Sequence, residues 1–64
     1  MLTARISKEY SPYVGERWIC RLYEPGGDVW HGQVAHVSFN TDMTADQFAE
    51  ECRRRTGVNF EVEV

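Results

Sequence analysis

The sequence predicts an α+β fold: an antiparallel four-stranded β-sheet, in chain order β-β-β-α-β, with one α-helix packed on one face. Three observations point to it. The final stretch, Val58-Asn59-Phe60-Glu61-Val62-Glu63-Val64, alternates apolar and polar residues without exception, the period of two that marks a half-buried strand. Thr44 to Gly57 carries the start signal, apolar stripe and stop signal of a single helix. Glu24-Pro25-Gly26-Gly27-Asp28 reads as a tight turn between two runs rich in β-formers.

Taken in order, Leu2, Ala4 and Ile6 alternate with Thr3, Arg5 and Ser7, a short first strand. Tyr10-Ser11-Pro12-Tyr13-Val14-Gly15 then reads as a loop punctuated by Pro and Gly. Arg17 to Tyr23 is the second strand, with Trp18, Cys20 and Leu22 on one face and Arg17, Ile19, Arg21 and Tyr23 on the other. In the turn after it, Pro25 presets φ and Gly26 accepts the positive φ of a type II turn. Val29 to Phe39 returns as the third strand, and its pattern is interrupted. Ala35, Val37 and Phe39 share a face, whereas Trp30 falls on the opposite parity. A bulge at Gly32 would bring Trp30 onto that face; without one, Trp30 is an exposed aromatic.

The helix follows. Thr44 is the N-cap, Gln47 completes a capping box, and Met43 with Phe48 fits a hydrophobic staple. Ala45, Phe48, Ala49 and Cys52 recur at i, i+3, i+4 and i+7, one apolar stripe. Gly57 ends the helix in a left-handed cap. Asp46 lies near the positive end of the helix dipole and Arg53, Arg54 and Arg55 near the negative end. A helix of about 13 residues spans roughly 20 Å. It covers one side of a four-stranded sheet and leaves the other to water or a partner.

The 64 residues make one compact domain, 1–64, with a thin core. The hydrophobic fraction of 42% is too high for a disordered chain. No run approaches the ~20 apolar residues of a membrane span, and Met1 to Arg5 lacks the apolar stretch of a secretory signal. Cys20 and Cys52 are too few to read as a disulfide framework, so a cytoplasmic protein with free thiols is expected. Ten acidic residues against seven basic ones give a net charge of -3, which repels a phosphate backbone and leaves attraction to a basic protein surface open.

Cys20, His31, His36 and Cys52 are the right types for zinc, but the cysteines lie 32 residues apart and the histidines five apart. Structural zinc sites bring ligands in close pairs, so no metal and no cofactor is expected. No serine sits in a nucleophile turn, no glycine pattern cradles phosphate, and no catalytic residue is assigned. Arg53-Arg54-Arg55 suggests nucleic acid, yet the triplet also complements the helix dipole and can pair with Glu50 and Glu51. Eight aromatics exceed what a thin core absorbs, leaving two or three on the open sheet face or its loops. The carboxylates are ordered: Asp42, Asp46 and Glu50 recur every four residues, Glu24 and Asp28 flank the hairpin turn, and Glu61 and Glu63 project from the last strand.

In this overall character (short, acidic, single-domain, β-rich, one helix on a sheet) the chain resembles the small anti-CRISPR inhibitors that phages encode. The resemblance covers all 64 residues and rests on no shared motif. It implies a non-enzymatic inhibitor, monomeric and cytoplasmic in the phage's host, that blocks DNA binding by a type I surveillance complex, type I-C among them. Some such inhibitors mimic the charge of DNA. By that analogy Glu24, Asp28, Asp46, Glu50, Glu61 and Glu63 would engage lysines and arginines of the partner. Tyr23 or Trp30 would supply apolar contact. Two other classes stay open: an interaction module or antitoxin-like partner using the open sheet, and a nucleic-acid binder using Arg53 to Arg55.

Overall fold

The computed structural model describes residues 2–24 and 32–63. Along the chain run β1 (Leu2–Ser11), β2 (Gly15–Tyr23), β3 (Gln33–Ser38), α1 (Ala45–Thr56) and β4 (Phe60–Val62). The strands form one sheet in the order β3-β2-β1-β4. β2 pairs antiparallel with both β1 and β3. The expectation of a fully antiparallel sheet is corrected at β4, which lies parallel to β1 with Leu2 opposite Phe60 and Ala4 opposite Val62. Strand direction alternates from β1 to β3, so those two run the same way. A helix after β3 carries the chain back to the starting end, and the next strand must then run with β1. Parallel strands need a crossover of this length.

The β1–β2 hairpin is longer than the sequence suggests. Tyr10 pairs with Glu16 and Ser11 with Gly15, leaving only three residues, Pro12 to Val14, in the turn. Gly15 closes it at φ 84°, a conformation other residues rarely adopt. In β3 the register shifts: Cys20 faces His36 while the next residue, Arg21, faces Val34. The extra residue is Ala35, so the interruption in the pattern is a bulge, placed three residues beyond Gly32. Gly32 has another task, since a Cβ there would lie 2.2 Å from Cζ of Tyr23. The tyrosine ring packs directly on that backbone.

The core lies between α1 and one sheet face. Ala4, Cys20, Phe48, Ala49, Cys52 and Phe60 are buried, with Leu2, Ile6, Trp18, Leu22 and Met43 packed around them. Phe48 anchors the helix. Its ring stacks against Trp18 at 5.8 Å and against His36 at 5.6 Å. Trp18 donates its indole N–H to the Met43 carbonyl at 3.1 Å, tying the helix approach to β2. The capping box forms as the sequence suggests, with Thr44 and Gln47 exchanging hydrogen bonds of 2.9 and 3.2 Å. Gly57 caps the other end at φ 69°.

Three expected inward residues stay out. Ala45 is exposed, which narrows the buried stripe to Phe48, Ala49 and Cys52. Val62 is 38% exposed because α1 lies over β3, β2 and β1, leaving edge strand β4 uncovered past Phe60. Phe39 is 63% exposed, since β3 ends at Ser38 and the chain leaves the sheet there. Ile19 is buried although its parity faces away from the helix-side core. It sits between Ser7 and Val37 on neighbouring strands, flanked along β2 by Arg17 and Arg21. Long arginine stems shelter apolar surface of this kind.

Candidate functional site

The residues expected to meet a partner divide between two sides of the molecule. On the helix side, Asp46 and Glu50 are exposed along α1, with Asp42 exposed at its approach. On the open sheet face, Tyr23, Thr3 and Glu61 form one row across β2, β1 and β4, and Arg21, Arg5 and Glu63 form the next. Glu24 is exposed at the end of β2. Asp28 and Trp30 lie outside the described residues. The sheet and the helix thus present their charges in different directions.

The open face is internally neutralised. Arg5 donates two hydrogen bonds of 3.2 Å to the Glu63 carboxylate, and its guanidinium lies 5.3 Å from the Tyr23 ring centre. Tyr23 is half-buried between Arg5 and the Gly32 backbone, not a free anchor. Glu9 accepts from both Arg21 and the Ser7 hydroxyl, the latter at 2.8 Å. Arg21 first, and Ser7 second, hold the Glu9 carboxyl below the usual carboxylate range. Arg5 and Arg21 stand directly opposite each other, and Glu63 and Glu9 offset that repulsion. Glu61 remains exposed beside this network.

The helix side keeps its charge. Among the described residues Asp42 and Asp46 hold no ion pair, while Glu50 reaches Arg53 at 2.7 Å. Asp42 accepts no cation, and its N–H donates to the Asn40 side chain at 3.2 Å. This Asx-type turn fixes the approach to the helix. Beside these residues lies a shallow open hollow lined by Asn40, Asp42, Met43, Gln47, Glu50 and Arg54, among others. One dipole effect also operates here: Asp46 sits in the first turn, where a carboxylate is stabilised.

The arginine triplet is partly committed. Arg53 pairs with Glu50, donates to the Phe60 carbonyl at 3.1 Å and covers the Phe60 ring at 4.7 Å. Arg54 and Arg55 are exposed. Glu51, expected to pair with that triplet, instead binds His36 at 2.8 Å. His36 is thus turned towards a carboxylate and a phenyl ring. Among the described residues, no group of three or more His, Cys, Asp or Glu is placed to hold a metal ion. Nor is any helix there long and apolar enough to cross a membrane.

Sequence reasoning missed the far end of the hairpin. Tyr10 is 74% exposed, Tyr13 93% and Val14 54%, and Phe39 leaves β3 towards the same end. The surplus of aromatics signalled that some would be exposed, but Tyr23 and Trp30 were the residues it singled out. The alternation of Leu2, Ala4 and Ile6 is broken at Lys8, which hid the continuation of the strand through Tyr10. Family models, curated proteins and solved structures give no match to this chain.

Proposed function

We propose that this chain acts by docking, without catalysis, onto a basic surface of a partner protein, with the acidic side of α1 leading. One observation supports this reading above all: among the described residues, Asp46 on α1 and Asp42 at its approach stand exposed with no ion pair, while the sheet pairs most of its charge internally. Paired charges gain little from a new partner, because they must first give up the old one. Unpaired carboxylates on one line add their fields and raise the rate of encounter with a cationic surface. Glu50 extends the line by one turn and can exchange Arg53 for a partner cation, being 74% exposed at its side chain.

The specific partner we propose is a type I CRISPR surveillance complex, whose DNA-binding channel is a cationic surface of the kind required. This rests on the chain's overall character, short, acidic and single-layered, and on the helix-side carboxylates. Of the wider set of Glu24, Asp28, Asp46, Glu50, Glu61 and Glu63, Asp46 and Glu50 are kept and Asp42 is added to form the leading group, because Glu63 is occupied, Glu24 and Glu61 lie apart, and Asp28 lies outside the described residues. Expressing the chain in a host with an active type I system should restore plating of a targeted phage. Unchanged plating across type I hosts that make the protein in quantity would remove the CRISPR assignment.

A second reading draws on the exposed Tyr10, Tyr13, Val14 and Phe39: an interaction module that docks through the hairpin end by apolar burial. Ionic strength separates the two. Charge-led docking weakens steeply as salt rises, and apolar docking does not.

A further inference from the structure

We infer that Cys20 and Cys52 are a reversible redox pair, whose sulfurs join under oxidising conditions in an intramolecular disulfide that fastens α1 to the middle of the sheet. They are the chain's two cysteines, one on β2 and one on α1, and both are fully buried in the same core cluster. Only six of the described residues make up that buried cluster, and the two cysteines enter it from opposite sides, Cys20 from the sheet and Cys52 from the helix. Two of the residues packed with them, Ala4 and Ala49, are small, which lets the helix approach the strands closely at this point. A link between elements 32 residues apart in sequence closes a long loop, the case in which a crosslink removes most freedom from the unfolded chain. A domain this small gains disproportionately from such a staple.

The closed, reduced fold protects the pair. Burial pushes both thiols up, Cys52 to about 12, so little thiolate exists at neutral pH. Exchange therefore passes through an opened state in which α1 lifts and Phe48, Ala49 and Cys52 leave the core. A small-molecule disulfide such as oxidised glutathione supplies the oxidising equivalents. One cysteine thiolate attacks it, its S–S bond breaks, and a mixed disulfide forms with release of one glutathione thiolate. The second cysteine then attacks the protein sulfur, forming the Cys20–Cys52 bond and releasing the second glutathione. The two protons lost by the cysteines pass to the two leaving thiolates.

The test equilibrates the full chain with glutathione redox buffers, once in native buffer and once in concentrated urea. Acid-quenched mass spectrometry reports the fractions of intramolecular disulfide, mixed disulfide and free thiols. By linkage, the ratio of the two exchange constants measures how well the native fold accepts the bond. The inference expects native conditions to favour the intramolecular bond over urea on the order of 100-fold, with the melting temperature of the oxidised chain raised and returned by dithiothreitol. A ratio at or below one, or glutathione adducts and intermolecular dimers prevailing in native buffer, would overturn it.

Discussion

Phe48 shows how much of this protein hangs on single residues. Its ring fills the space between Trp18 and His36 and is the largest fully buried side chain among the described residues. Truncation to alanine costs ~3–5 kcal/mol for a buried phenylalanine. A chain of this length holds only a few kcal/mol of total stability. Phe48→Ala should therefore be largely unfolded at room temperature by circular dichroism. Glu9 governs acid behaviour in a different way. Folding lowers its pKa, so the unfolded chain binds that proton more tightly. Its contribution is present at neutral pH and is lost as pH falls through the folded-state value. Urea titrations across the acid range should show Glu9→Gln less stable at pH 7, with the difference from wild type vanishing at low pH. A gap that widened in acid would contradict the assignment to Arg21 and Ser7.

At the scale of elements, α1 is set by its caps as much as by its stripe. Thr44→Ala removes the side-chain acceptor for the Gln47 N–H, and a lost N-cap costs about 1 kcal/mol. Thermal melts should show that loss, whereas Tyr13→Ser, on a side chain in open solvent, should leave stability unchanged. The helix's ends were legible in the sequence because capping chemistry is local: Thr44, Gln47 and Gly57 act on their own neighbours. The strands were less so. Alternation in residues 58–64 described a seven-residue strand, yet among the described residues β4 spans Phe60–Val62, followed by one hydrogen bond from the Glu63 N–H to the Ala4 carbonyl, and Val62 lies outside the helix's reach. Periodicity records which residues suit a strand, not how far a neighbouring element extends to cover them. The bulge at Ala35 was foreshadowed by broken parity, but its position depends on the pairing with β2. The parallel placement of β4 was not legible, because it follows from where α1 delivers the chain.

Across the whole molecule, the carboxylates' spacing was readable and their availability was not. Strand parity places Arg5 and Glu63 on the same outer face, where they pair, but nothing local tells that His36 would take Glu51, since those two meet only through the fold. What results is a body of 33 × 23 × 20 Å with a neutralised sheet face on one side and unpaired carboxylates on the other. Reversing the helix-side charge with Asp42→Lys and Asp46→Lys together should leave the chain folded, with a modestly lower melting temperature because Asp46 is lost from the positive end of the helix dipole. The same double variant should lose phage rescue. A change at Glu63 should instead disturb the sheet through Arg5 and affect rescue little.

The most direct measurement is DNA binding by a purified type I surveillance complex, titrated with this chain and with the Asp42→Lys, Asp46→Lys variant. The account expects wild type to displace target DNA, with an apparent affinity that falls steeply as salt rises, and expects the variant to fail. DNA binding untouched by saturating wild type, or equal inhibition by the charge-reversed variant, would contradict it.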